Sequence, residues 1–338
     1  MVTKVLDDFY LGLTAIITVV YQLVFFSIAF GCKFDLLTDF AGGTNFAILA
    51  IATLSLSQDP TPRQILVTIL MSVWALRLSI FLFYRILRTG HDSRFDKMRD
   101  KFFPFLGFWV FQMLWVWTVS LPVTMGNSPA VVVPQKSGGA GVAFGTAADI
   151  AGVIMFAIGF LFEVVGDWQK FAFRNKYGGG AAEVCGKGLW KYSRHPNYFG
   201  DILAQFGIYA ISTSPTTSSA LPSPPRAALL ASIVGPLFIT LLLLFVSGMP
   251  LTERPAAKRR YETDRNWDAY EQYLRRTSPL FPFPPALYSH VPVWLKRTLF
   301  LELPIYVFDP AKHSEVGRGG LNAPSEGREG EEEGEGSE

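Results

Sequence analysis

About seven long apolar stretches run through the sequence, and they constrain its fold more than any other feature. They cover roughly residues 10–30, 36–57, 65–84, 105–123, 147–165, 198–211 and 227–246. A spanning helix needs about 20 predominantly apolar residues, which most of these stretches supply. Half of the chain is hydrophobic and only 17% is charged, as in polytopic membrane proteins. The sequence therefore predicts an all-α fold, a polytopic integral membrane bundle of about seven transmembrane helices.

Positive charge is concentrated in alternate connections between these stretches. The connections after the third and fifth stretches, and the segment after the seventh, are basic, whereas those after the second, fourth and sixth carry only Arg63, Lys136 and Arg226. An odd number of spans places the three basic segments on one side, which the positive-inside rule assigns to the cytosol. The prediction is an N-terminus outside or in the lumen and a C-terminus in the cytosol. Few thiols, a basic cytosolic face and an acidic tail are compatible with the endoplasmic-reticulum membrane.

Composition divides the chain into four parts. Residues 1–35 hold the first transmembrane helix, and residues 36–285 form the main membrane domain. Residues 286–310 are too polar to span and are predicted to lie at the membrane interface. Residues 311–338 are rich in Gly, Glu and Ser, cannot bury apolar surface and are expected to be disordered. Two distant cysteines and four scattered histidines offer no metal-ligand spacing, so no metal site is expected.

The densest run of polar, aromatic and glycine residues, at 186–201, separates the fifth and sixth stretches and reads GKGLWKYSRHPNYFGD. Pro196 suits the first position of a helix, with Ser193 or His195 as its cap. Such a helix has a polar face formed by Asn197, Asp201 and Gln205. A cationic loop therefore leads into a helix N-terminus, where anions bind. The alternative is a juxtamembrane basic loop with an aromatic belt.

The fifth stretch ends in ionisable residues that share one helical face. They are Glu163, Asp167, Lys170 and Arg174. Ionisable side chains at membrane depth normally face the bundle interior or a wet cavity. We expect this face to meet the polar face of the next helix and to enclose a pocket that opens on the basic side. An ion-pair ladder within the helix is the alternative.

The order of residues from Trp190 to Asp201 resembles the C-terminal signature of the steroid 5-alpha-reductase-like membrane oxidoreductases of the DUF1295 type. Sterol reductases and isoprenylcysteine carboxyl methyltransferases share a looser version. The resemblance covers about residues 36–285 and implies NADPH as cofactor, held by membrane helices and their loops. The sequence has no G-x-G-x-x-G motif after a predicted strand, so a Rossmann domain is not expected to bind the cofactor. The implied cofactor-binding residues are Arg77, Arg94, Glu163, Asp167, Arg174, Arg194, His195, Asn197, Tyr198, Asp201, Glu253 and Tyr273.

The substrate side is predicted in the second and third stretches. Asn45, with Trp74 facing it, would polarise a substrate carbonyl from within the membrane, and these two are the predicted catalytic residues. Steroid reductases use a carboxyl–tyrosine pair for this task. Here Trp74 stands in place of the tyrosine and no glutamate is evident in the second stretch. That departure weighs against steroid reduction specifically.

The resulting hypothesis is an NADPH-dependent membrane enzyme that reduces a C=C bond of a lipophilic enone-like or sterol-like substrate. Its partners would be that small molecule and membrane lipid, with no nucleic acid. Two alternatives stay open. One is an S-adenosylmethionine-dependent methyltransferase that acts on a prenylated or lipid substrate, and the other is a non-enzymatic lipid-binding membrane protein. The long polar face and several arginines suit the pyrophosphate of a dinucleotide better than a methyl donor.

Overall fold

The computed structural model describes residues 3–90, 95–137, 141–178, 183–219 and 221–310. These residues form a helical bundle, and no β-strand occurs among them. The helices are α1 (Leu11–Gly31), α2 (Thr38–Ser55), α3 (Pro62–Thr89), α4 (Phe102–Val119), α5 (Leu121–Gly126), α6 (Pro129–Ser137), α7 (Ala147–Tyr177), α8 (Pro196–Thr213), α9 (Ser223–Ala231), α10 (Val234–Leu241), α11 (Met249–Glu262), α12 (Trp267–Arg276), α13 (Pro285–Tyr288) and α14 (Val293–Thr298). Short 3-10 turns cover Asp35–Leu37, Gly188–Lys191 and Ser214–Thr217, and a π-helical turn, Leu242–Val246, follows α10.

Five segments of the described chain are long and apolar enough to cross a membrane. They are Leu11–Gly31, Pro62–Arg88, Phe102–Val119, Ala147–Tyr177 and Ser223–Glu262. The predicted helical membrane bundle is confirmed. The other two predicted spans are also helices, α2 and α8, of 18 residues each. They are not among the five because polar residues, such as Asn45 in α2 and Asp201 in α8, lower their mean hydropathy.

Helices α7 and α8 pack backbone against backbone through glycines. A Cβ atom on Gly159 would lie 2.5 Å from the carbonyl oxygen of Gly200, and one on Gly207 would lie 2.6 Å from that of Gly152. Small residues at such positions let membrane helices approach closely. The contact fixes how the two helices are aligned, and it sets the polar face of α7 beside the first turns of α8.

Two buried ion pairs join α3 to α7 at different depths. Near the start of both helices, Arg63 donates to both carboxylate oxygens of Asp149, at 2.9 Å each. The same number of residues further along both helices, Arg77 meets Glu163. Equal steps along the two helices mean that α3 and α7 run in the same direction. Their later turns therefore reach the same side of the bundle as the start of α8.

Tail residues 311–338, predicted to be disordered, lie outside the described residues. Residues 286–310 are described as far as Pro310. They contain most of α13, all of α14 and irregular chain that packs on the π-helical turn and on α8. This part of the chain therefore lies against the membrane bundle, close to the region where α8 begins.

Candidate functional site

The signature segment 188–195 is held between α7 and the C-terminal part of the chain. The indole N–H of Trp190 donates to the carbonyl oxygen of Gly166 at 2.9 Å, and the backbone N–H of Arg194 donates to that of Ser278 at 2.8 Å. Helix α8 begins at Pro196, as predicted. Neither predicted side chain caps it, because the Ser193 hydroxyl accepts from the His195 N–H and donates to the Leu280 carbonyl oxygen instead.

A break in the last span brings Glu253 to this segment. The π-helical turn ends at Val246, and α11 begins at Met249. A Cβ atom on Gly248 would lie 2.3 Å from the carbonyl oxygen of Leu243, so the break accepts no side chain at that position. The new direction of α11 buries Glu253 against His195, with 2.7 Å between Oε1 and Nε2.

A cavity of about 420 Å³ lies among the ends of α3 and α7, the start of α8, and α11 and α12. All three predicted basic segments contribute to its walls. Seven lining residues are cationic, namely Arg85, Lys170, Arg174, Arg194, Arg259, Arg260 and Arg265. Two are carboxylates, Asp167 and Glu253. Aromatic walls come from Phe173, Trp190, Tyr198, Tyr270 and Tyr273. The cavity is therefore cationic, with large flat side chains around it.

The floor of the cavity is a buried charge cluster on α3, α7 and α8, here called the deep cluster, formed by Arg77, Glu163, Asp167 and Asp201. Arg77 contacts Glu163 Oε1 at 2.5 Å and Asp167 Oδ2 at 2.7 Å. The Asn197 amide donates to the other oxygen of Asp167 at 3.0 Å. Asp201 lies close enough to interact electrostatically with Arg77 and Asp167. Asp167 thus joins the deep cluster to the cavity that it lines.

Several buried polar atoms of this region have no hydrogen-bond partner among the described residues. They are Trp74 Nε1, Glu163 Oε2, Asn197 Oδ1, Asp201 Oδ1 and Gln205 Nε2. Burying a polar atom without a partner costs about 1–3 kcal/mol, so such atoms are uncommon and call for an explanation. Their grouping where α3, α7 and α8 meet makes this junction a candidate site for a polar ligand.

Arg194 and His195 form a second network around Glu253. The Arg194 guanidinium lies 3.3 Å from Glu253 and 3.0 Å from Glu302. Burial opposes the charge of Arg194, but the two carboxylates raise its pKa above the usual value. Burial lowers the pKa of His195, although Glu253 opposes the change. His195 is therefore neutral near pH 7, donates to Glu253, and stacks on the ring of Tyr198 at 4.8 Å.

The structure brings most of the predicted cofactor-binding residues together. Those that line the cavity are Asp167, Arg174, Arg194, His195, Asn197, Tyr198, Glu253 and Tyr273. Arg77, Glu163 and Asp201 belong to the cluster at its floor. Arg94 lies outside the described residues. Arg194, implied by the resemblance to bind the cofactor, has its charge balanced by two carboxylates within the protein.

The cavity also contains residues outside the predicted set. They include Arg85, Lys170, Arg259, Arg260, Arg265 and Tyr270. All lie in or beside the basic segments that the sequence identified. Helical spacing placed Lys170 on the face expected to border the pocket, but it did not separate the four arginines from surface charges. Lys170 is held over the ring of Trp190, with Nζ 4.1 Å from the ring centre. In the described part of the chain, no three His, Cys, Asp or Glu side chains come together as metal ligands.

The predicted catalytic residues, Asn45 and Trp74, are buried and do not line the cavity. The oxygen of Asn45 accepts from Gln22 at 3.1 Å, and Gln22 accepts from Gln112 at 2.9 Å, so these amides join α1, α2 and α4. Trp74 packs edge-on against Phe46, with ring centres 5.1 Å apart. Its indole N–H points to the carboxyls of the deep cluster without reaching hydrogen-bonding geometry.

Comparison with known proteins gives one family. The sequence profile of a family described as a protein of unknown function (DUF1295) matches residues 25–277. The matched residues include the deep cluster, the signature segment and the helices that surround the cavity. No curated protein and no solved structure matches the chain.

Proposed function

The chain belongs to the DUF1295 family, and we propose that it is a membrane enzyme that uses NADPH to reduce a C=C bond of a lipophilic, enone-like or sterol-like substrate. The cavity would hold the cofactor, and the substrate would arrive from the bilayer. The proposal places the basic cavity on the cytosolic side of the endoplasmic-reticulum membrane, with the C-terminus in the cytosol. The convergence of three basic segments on one cavity supports a common side for all of them.

The excess of cationic side chains in the cavity carries the proposal. Arg194 is balanced by Glu253 and Glu302, but six further Lys or Arg residues line the cavity against one further carboxylate, Asp167, and this excess would attract an anionic ligand. NADPH carries a pyrophosphate and a further phosphate on one ribose. Guanidinium groups bind phosphates through paired hydrogen bonds. The volume of about 420 Å³ lies within the usual range of small-molecule sites, about 300–1,000 Å³.

The lining residues divide into groups that suit different parts of the cofactor. Arg174, Arg259 and Arg265 are exposed in the cavity walls and would meet the phosphates. Asp167 and Asn197 would hydrogen-bond ribose hydroxyls or the carboxamide, since an Asn197 oxygen has no partner within the protein. When bound, the cofactor supplies a hydride. The chain's own part is to bind and orient the two reactants and to exclude water.

Asn45 and Trp74 keep their proposed role on the substrate side. Each has a buried N–H without a partner, Asn45 at Nδ2 and Trp74 at Nε1. Such donors stabilise negative charge that develops on an oxygen, because in a dry interior they need no reorganisation. Trp74 is the better placed of the two, because it adjoins Glu163 and Asp201 below the cavity.

Ligand-induced thermal shifts of the purified protein test the proposal. NADPH should raise the unfolding temperature more than NADH, and S-adenosylmethionine should have no effect. At a hundredfold excess over the dissociation constant, binding stabilises the native state by about 2.7 kcal/mol. The shift should be lost in Arg174→Ala and Asn197→Ala. It should persist in Arg276→Ala, which removes an exposed charge of the same basic region outside the cavity.

Other outcomes would replace the proposal by a specific alternative. A shift with S-adenosylmethionine and none with NADPH would favour the methyltransferase. No shift with any of the three ligands would favour a lipid-binding protein without chemistry.

A further inference from the structure

The chain continues past the family match at residue 277 and returns to the site. Residues 285–308, here called the brace, contain α13, α14 and an irregular segment that ends against the π-helical turn, α11 and α12. The brace has an inner face that contacts the network of Arg194, His195 and Glu253, and an outer face that is apolar and exposed. The two faces require different explanations.

The inner face of the brace holds Arg194. Glu302 accepts from the Arg194 guanidinium at 3.0 Å, and the Tyr288 hydroxyl donates to the other oxygen of Glu302 at 3.1 Å. Arg194 and Tyr288 are buried, so this is a charge-assisted bond shielded from water. The Tyr306 hydroxyl donates to the carbonyl oxygen of Leu244 in the π-helical turn. The brace is therefore attached both to the signature segment and to the last span.

The outer face exposes large apolar side chains. Trp294 is 67% exposed and Val293 is 62% exposed. The others are Leu287, Leu299, Ile305 and Val307. An isolated exposed leucine needs no explanation, but a series of this kind marks an interaction surface. Lys296 and Arg297 lie within the same short helix, which gives it the mixed character of interfacial segments.

The outer face is continuous with the lipid-facing surface of the last span. Ile305 and Val307 flank Tyr306, and Tyr306 is bonded to Leu244. Phe245 and Val246, next along the span, are themselves exposed apolar residues. Because the span crosses the bilayer, apolar side chains beside this end of it lie at the depth where lipid headgroups meet acyl chains. Tryptophan is enriched at that depth.

We propose that the brace lies on the phospholipid surface with its outer face and, through Glu302, holds Arg194 in position with its inner face. Arg194 in turn fixes Glu253, the partner of His195 at the cavity wall. Contact between the brace and the bilayer thus stabilises the geometry of the cavity. Glu302 is a positioning residue, because it reaches the cavity only through Arg194.

Spin-label accessibility tests the outer face. A nitroxide would be attached at Trp294→Cys, or at Gln272→Cys on α12 as the control, in a Cys32→Ser, Cys185→Ser background in phospholipid nanodiscs. Gln272 is exposed and polar. The label at position 294 should collide more with oxygen, which concentrates in lipid, than with a water-soluble nickel complex. The control should show the reverse. Equal access of the nickel complex to both labels would overturn the proposal, as would shielding of position 294 from both reagents by a second copy or another protein.

Hydrogen exchange tests the link from the brace to the site. Glu302→Gln should speed exchange of the Arg194 backbone N–H by about tenfold, because a charge-assisted bond that holds the segment is lost. Glu302→Asp should restore part of the protection. Glu271→Gln, which removes only the exposed pair with Arg275, should leave exchange unchanged. The double variant Trp294→Ser, Leu299→Ser should act like Glu302→Gln in nanodiscs.

Unchanged exchange in Glu302→Gln would overturn the inner contact. Unchanged exchange in the double variant would overturn the coupling to the membrane. Neither readout involves a nucleotide, so both outcomes are independent of the proposed reduction.

Discussion

The close contact of α7 and α8 makes Gly159 a sensitive position. In Gly159→Ala the added Cβ would lie 2.5 Å from the Gly200 carbonyl oxygen and 2.6 Å from the Ala204 backbone nitrogen. Both neighbours are backbone atoms, so the helices themselves must separate to admit the methyl group. Overpacking of this kind typically costs about 1–3 kcal/mol. The expected net change is destabilising, even though alanine favours a helix over glycine by about 1 kcal/mol.

Gly107→Ala is the matched control. Gly107 lies inside α4, and a Cβ there would meet nothing within 4 Å. This variant should gain up to about 1 kcal/mol from helix propensity alone. The propensity gain is common to both variants, so they should differ by the overpacking cost alone, about 1–3 kcal/mol. At about 2 °C for each kcal/mol, their thermal unfolding midpoints in detergent should differ by roughly 2–6 °C. Equal midpoints would refute backbone contact between α7 and α8 as the element that aligns the site.

Two further predictions concern charge and pH. Arg77→Gln removes the cation that Glu163 and Asp167 share. Breaking a buried ion pair in this way costs about 3–5 kcal/mol of unfolding free energy. Denaturant titration should show this loss in Arg77→Gln and not in the control Arg88→Gln, which replaces an exposed arginine. Burial lowers the pKa of His195 in the folded chain, so below about pH 6.5 the unfolded chain binds more protons and stability falls with the pH. Measured between pH 7.5 and pH 5.5, His195→Gln should lose less stability than the wild type, and parallel curves would contradict a neutral His195.

The sequence predicted those features that depend on local pattern. Apolar stretches placed the helices, because hydropathy is a property of neighbouring residues. The helical spacing of Glu163 and Asp167 predicted their common face, and Pro196 predicted where α8 begins. The basic segments predicted that three parts of the chain share one side of the membrane, and residues of all three line one cavity. Each of these inferences used residues a few positions apart, where the geometry of a helix is sufficient.

Contacts between distant parts of the chain could not be predicted in this way. Glu302 lies far beyond Arg194 in sequence, and nothing local indicates that it balances the arginine's charge. Likewise, nothing in the sequence around Gln22 indicates that its amide donates a hydrogen bond to the side-chain oxygen of Asn45. In the sequence, Arg259 is one charge among several in a basic segment. It lines the cavity because the break at Gly248 changes the direction of the helix that carries it. Such choices are made by packing, which a short stretch of sequence does not contain.

A density map of the protein in nanodiscs with saturating NADPH tests the central claim most directly. The proposal predicts density for the dinucleotide in the cavity among α7, α8, α11 and α12, with its phosphates against Arg174, Arg259 and Arg265 and a polar contact to Asn197. An unchanged cavity at saturating NADPH, or a nucleotide bound elsewhere on the chain, would contradict it.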